Sequence, residues 1–149
     1  MRVLGIDPGY EKLGIAVLEK LPPNKEILIY SDCIRTGKEL GHGDRLKLLG
    51  EQISKIIQTY KPEYLSIEKL FWSNNQKTGM LVSEAKGVVM YESAKSGLKI
   101  REYSPVEVKV AVTGYGKSTK KQVEFMVEKL VRIEKQIKED DEFDAIALG

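Results

Sequence analysis

RVLGIDPGYEKLGIAVL, residues 2–18, holds two short apolar runs hinged on Asp7-Pro8-Gly9. Residues 2–6 alternate weakly and stop at a tight-turn signature, so they read as a strand running into a turn. Residues 13–18 (LGIAVL) read as its partner. A third run, residues 26–34 (EILIYSDCI), follows the Leu21-Pro22-Pro23-Asn24 break. Three strands joined by short turns predict an antiparallel meander. Gly9 lets the backbone turn away after the first strand, which leaves Asp7 projecting at the end of the sheet. Asp-Pro-Gly is also ordinary turn chemistry, so Asp7 becomes informative only in company.

Outward from the meander the period changes. Residues 37–44 (GKELGHGD) read as a loop carrying the lone His42. From Asp44, Leu49, Ile53, Ile56, Ile57 and Tyr60 recur at helical spacing until Pro62. Tyr64 to Glu68 (YLSIE) is a fourth strand. Residues 78–96 are a second helix closed by Gly97, and residues 98–103 a fifth strand. Ser104-Pro105-Val106-Glu107 is a capping box with proline at the first helical position, opening a short helix that ends at Gly114. A further helix is expected over residues 119–138, and a last one, capped by Asp140 or Asp141, runs to Gly149. The order predicts one α/β domain over residues 1–149, with a mixed five-stranded sheet and helices on both faces.

Four acids stand at the ends of three separate core-bound elements: Asp7, Glu68, Asp141 and Asp144. Right-handed crossovers would set the strand ending in Glu68 beside the strand ending in Asp7. Asp141 and Asp144 are three apart and share a helix face. Gathered acids repel and raise one another's pKa unless cations meet them. Two Mg²⁺ ions, or Mn²⁺ in their place, would do so, being hard cations that favour carboxylate and water oxygens. Phosphoryl chemistry by the two-metal scheme would follow, with Asp7 the candidate bridging ligand. Taken singly, Glu68 could pair with Lys69 or Arg101, and Asp140, four residues from Asp144, could replace Asp141 as a ligand.

Composition narrows the class. The chain has 149 residues, 42% of them hydrophobic, which is enough for a core without disulfides. The single cysteine and the lack of a paired-cysteine spacing argue against disulfides and zinc and for a reducing, cytoplasmic setting. The N-terminus reads as neither signal peptide nor anchor, and no run approaches a membrane span. The net charge is only +2, but residues 101–138 hold nine basic against five acidic side chains, and residues 139–144 hold five acids and no base. Lysines to hold a phosphate backbone beside acids to hold metal suit a nuclease. A solvated, mixed-charge helix face is the alternative for the basic stretch taken alone.

The segments GIDPGYEKLGIAVLE, IEKLFWSNNQKTGMLVSEAKGVV, YSPVEVKVAVTGYGKSTKKQVEFMV and DDEFDAIAL, in that order, resemble the RuvC family of Holliday junction resolvases. The resemblance spans nearly the whole chain. It implies a ribonuclease H-like fold, a homodimer and Mg²⁺-dependent symmetric nicking of four-way DNA junctions that leaves 5′-phosphate and 3′-hydroxyl ends. It also implies work alongside the RuvA–RuvB branch-migration complex. Carried over by position, the family's metal ligands fall on Asp7, Glu68, Asp141 and Asp144. Its base-stacking aromatic falls on Phe71, with Trp72 adjacent as an alternative, and its DNA-contacting lysines on Lys109 and Lys120. Lys117, in the same Gly114-to-Lys120 run, is grouped with them. In this chain Gly149 follows Asp144 by five residues, a shorter final helix than is usual in the family.

Three other functions compete. A different metal nuclease, acting on RNA or on other branched DNA, would use the same acids. An actin-like ATPase or sugar kinase shares the Asp-x-Gly turn but needs a second lobe, for which 149 residues leave no room. A junction-binding protein without catalysis needs the basic face but not four converging acids.

Overall fold

The computed structural model describes residues 1–23, 25–70 and 76–149, the Gln76 side chain excepted. The meander forms as β1 (Arg2–Asp7), β2 (Lys12–Leu21) and β3 (Lys25–Arg35). Then come α1 (His42–Tyr60), β4 (Tyr64–Glu68), α2 (Gln76–Lys95), β5 (Lys99–Tyr103), α3 (Pro105–Thr113), α4 (Lys120–Leu130), β6 (Val131–Arg132) and α5 (Asp140–Leu148). The strand order is β5-β4-β1-β2-β3-β6. β1 and β2 are antiparallel, as are β2 and β3, whereas β4 runs parallel to both β1 and β5.

Three expectations need correction. The sheet has six strands rather than five, because β6 pairs in parallel with β3, Val131 opposite Glu26 and Arg132 opposite Ile27. The helix expected over residues 119–138 accordingly ends at Leu130, and Val131 leaves it in an extended conformation. Val131 and Ile133 are β-branched, and burial of Val131 against the sheet outweighs continued helix. His42 also differs from its loop expectation. It opens α1, where its ring nitrogens meet the Tyr10 hydroxyl at 2.7 Å and the Glu84 carboxylate at 2.8 Å.

Strand alternation sorts the sheet into two faces. Leu4 and Ile6 of β1, Leu13, Ile15 and Val17 of β2, and Leu65 and Ile67 of β4 join Leu49, Ile53, Ala85 and Val89 of α1 and α2 in one core. The opposite face offers Ala16 and Leu18 to Val127 of α4, Val131, and Ala145 and Ile146 of α5. Burying a leucine- or isoleucine-sized side chain contributes roughly 1.5–3 kcal/mol, so both layers are firmly fixed. Asp7 and Glu68 fall, by the same alternation, on the α5 face.

Candidate active site

Parallel pairing of β1 with β4 sets Leu4 beside Leu65 and Ile6 beside Ile67. One step further, Asp7 and Glu68 end neighbouring strands at the same edge of the sheet. α5 crosses this edge at close range because the sheet carries glycine, without a side chain, at residues 5 and 14. A Cβ on Gly14 would overlap the Asp141 carbonyl oxygen, and one on Gly5 would overlap that of Ala145. From the far side, the Ser66 hydroxyl donates to the Leu148 carbonyl and ties β4 to the end of α5.

The acids sense one another. Burial raises the Asp7 carboxyl to about 7, and the charges of Asp144, Glu68 and Asp141 push in the same direction, against Lys120. Burial and then Asp144 raise Glu68, while Lys86 works against them. Asp144 is raised by burial and by Asp141 and Asp140, despite the opposing Lys120. The charges of the four predicted ligands thus act on one another, although among the described residues no three of the four bring carboxylate oxygens within 4.8 Å of one another. Glu68 is not paired with Lys69 or Arg101. Its cationic neighbour is Lys86, whose ammonium donates to the Glu68 carbonyl at 2.9 Å and pairs with Glu102.

Lys120 is placed differently from a free phosphate ligand at a helix start. Its ammonium lies 3.3 Å from both Asp140 and Asp144. Desolvation works against its charge, but the two aspartates outweigh that and hold it above the ordinary lysine value. The α4 start is closed by Thr119, which accepts from the Gln122 N–H in a capping box. Lys109 and Lys120 line a cavity of about 240 Å³ with Glu68 and Asp144, roofed by Val108, Val123 and Ala147. Lys117 is exposed on the loop between α3 and α4. Phe71 and Trp72 lie outside the described residues.

The start of α5 departs from expectation. Neither Asp140 nor Asp141 caps it; Glu139 holds that position, without a side-chain capping bond. Periodicity also left Glu142 unassigned. Its buried carboxylate accepts from Ser31 at 2.9 Å and from Lys135 at 2.6 Å, pinning the first turn of α5 to β3. Burial opposes its charge, yet Lys135 and Ser31 hold the carboxyl below its ordinary range.

The donor set fits a hard divalent cation. Asp7, Glu68, Asp141 and Asp144 offer only carboxylate oxygens, and their mutual repulsion is met by few positive groups. Among the described residues, the one group of three that brings possible ligand atoms within 4.8 Å of one another is Cys33, Glu139 and Asp141. Glu139 there is already paired with Arg35 at 2.6 Å and Lys12 at 3.4 Å, so the second grouping is partly neutralised.

Comparison with known proteins gives the family and the fold. The family model described as Crossover junction endodeoxyribonuclease RuvC matches residues 3–149. The protein of that name from Thermosipho melanesiensis is 41% identical over 149 residues, covering 100% of this chain and 94% of its own length. That from Fusobacterium nucleatum is 37% identical over 148 residues, covering 99% and 77%. The solved structure of T. thermophilus RuvC in complex with Holliday junction substrate superposes with a TM-score of 0.93 at 25% identity, covering 99% of this chain and 90% of that one. The yeast mitochondrial Holliday junction resolvase Ydc2 shares the fold, with a TM-score of 0.69 at 13% identity, covering 98% and 76%.

Proposed function

This chain belongs to the RuvC family of crossover junction endodeoxyribonucleases, and from that premise we propose how its own residues cleave a Holliday junction. The enzyme is a DNA-cleaving hydrolase of a metal-dependent nuclease family. In our reading Asp7, Glu68, Asp141 and Asp144 hold the metal and Lys109, Lys117 and Lys120 hold the DNA. The carrying observation is the Asp7 carboxyl, raised to about 7 by burial and by the other three acids. Such a charge concentration is costly in the bare protein and favourable once divalent cations share it.

Mg²⁺ is the fitting ion, with Mn²⁺ able to substitute, because the ligands are carboxylates alone. Bound there, two such ions would lower the pKa of a water and stabilise charge on the leaving 3′ oxygen. The chain itself supplies position. Asp7 and Glu68 are fixed by adjacent strands, and Asp144 by a helix seated on glycines. The cavity between Lys109, Lys120, Glu68 and Asp144 admits a strand whose phosphate meets lysines on one side and acids on the other. Attack there leaves a 5′-phosphate and a 3′-hydroxyl.

Two equivalent cleavage points on a four-way junction call for two sites, hence a homodimer and symmetric nicking. Exposed Met80 and Tyr91 on the outer side of α2 support a dimer face there. Family membership supports cooperation with RuvA–RuvB. Among the described residues no helix is long and apolar enough to cross a membrane. The test is cleavage of four-way junction, duplex, flap and RNA–DNA hybrid by wild type and Asp7→Asn with Mg²⁺. Wild type cutting the junction in paired nicks, with the variant binding it but cutting nothing, is expected. Full cleavage by Asp7→Asn would overturn the site.

A further inference from the structure

The turn between α3 and α4 presents Tyr115 outward. Its side chain is 60% exposed although the backbone around it is tightly held. The Tyr115 N–H donates to Thr113 Oγ1 at 3.1 Å, and its carbonyl accepts from the Ser118 hydroxyl at 2.7 Å. Those two hydroxyls lie 2.6 Å apart, and Ser118 is buried. Gly114 reverses the chain at φ +78°, and Gly116 packs so closely on Val106 and Val110 that a Cβ would stand 3.0 Å from a Val106 methyl. Among the described residues the ring stacks on no other aromatic and its hydroxyl has no hydrogen-bond partner. A turn this well fixed loses little entropy when its ring is covered.

The surroundings say what covers it. Residues 108–123 contain Lys109, Lys117, Lys120 and Lys121 and no acid. Lys120 reaches Asp144, so the turn borders the cleavage site. An aromatic ring among lysines beside a nuclease centre matches a nucleic-acid strand, with lysines for phosphates and a ring for a base face. A protein partner would instead need acids to match those lysines.

We infer that Tyr115 is a base-stacking residue that, with Lys117 and Lys120, holds an unpaired nucleobase of the DNA strand entering the site. This deepens the junction-cleaving reading, on which it rests, and adds a contact separate from the Phe71 position. Stacking needs the ring, not the hydroxyl, so Tyr115→Phe keeps it and Tyr115→Ala loses it.

The test measures fluorescence anisotropy of the full chain, without divalent metal, on a four-way junction and on a single-stranded oligonucleotide across a salt series. Circular dichroism melts verify that both variants fold. Tyr115→Ala is expected to bind both DNAs about 5- to 150-fold more weakly, the range of one base–aromatic stack. Its salt slope should match wild type, because no phosphate contact is lost. Tyr115→Phe should bind as wild type does. Unchanged affinity of Tyr115→Ala, or a weakening carried only by a shallower salt slope, overturns the inference while junction cleavage stands. Wild type that ignores the junction but binds single strands through Tyr115 overturns the junction reading and leaves the stacking intact. Wild type that binds neither overturns both.

Discussion

Gly14 of β2 and Asp141 of α5 meet backbone to backbone: any side-chain carbon at residue 14 would overlap the Asp141 carbonyl oxygen. The acidic helix thus sits close over the sheet at Gly5 and Gly14, and its height sets where Asp141 and Asp144 point. Alanine at residue 14 must lift α5 or displace β2. Gly14→Ala is expected to cost about 1–3 kcal/mol of stability, as overpacking does. Displaced ligands should slow cleavage on the order of 100-fold. Junction affinity in metal-free buffer should hold, since Lys109 and Lys120 ride on other helices. Urea unfolding and single-turnover cleavage measure this, and a wild-type rate would sever helix height from catalysis.

Asp7 gives the site a pH signature. Its carboxyl rises from 3.8 to about 7 in the folded chain, so folding takes up a proton between those values. That contribution is fully present below about pH 4 and lost as pH rises through about 7. Metal-free protein should therefore melt at progressively lower temperature across this window. Asp7→Asn, neutral and similar in shape, should flatten the slope and exceed wild type near pH 8 by on the order of 2–4 kcal/mol. Mg²⁺ should restore wild type and leave the variant unmoved. Parallel slopes in the two proteins would place the strain on other groups.

The strands were legible because Pro and Gly punctuate them, and the start of α3 because its capping box is local. β6 was not. Val123, Met126, Val127 and Leu130 continue a helical stripe, and no glycine or proline marks where it stops. The pairing of Val131 with Glu26 that ends the helix lies about a hundred residues away in sequence. The four acids were legible as strand and helix ends. The ion pairs from Lys120 to Asp140 and Asp144 depend on how α4 and α5 dock, which no local pattern records. The same holds for the bond between Ser31 and Glu142, which joins β3 to α5.

Lys120 faces both acids and the cavity, so its loss should appear in two measurements. Lys120→Ala is expected to reduce the slope of log affinity against log salt by about one, the value of one phosphate contact. It should also lift Asp144 further from its ordinary range, because its nearest cation is gone. Lys109→Ala, without that ion pair, should change the salt slope alone. Junction titrations from low to high salt read the slope in both, an NMR titration of Asp144 distinguishes the two, and an unchanged slope in Lys120→Ala would remove it from the phosphate path.

Glu142 sits one residue beyond Asp141 and holds the first turn of α5 to β3, its carboxylate shared by Ser31 and Lys135. Its folded pKa is depressed, so its contribution is present above about 4.5 and fades as pH falls. Lys135→Met leaves the carboxylate buried with Ser31 and the Lys138 N–H as partners. The expected cost near neutral pH is about 1–3 kcal/mol, that of an under-satisfied buried group, with the half-exposed lysine keeping it below a fully buried pair. Because the anchor adjoins Asp141, cleavage should fall more than junction binding does. Glu142→Gln on the Lys135→Met background should recover part of the stability by removing the unpaired charge. Chemical denaturation of the four proteins of this cycle measures the coupling, and additive losses would mean that Lys135 and Glu142 act independently.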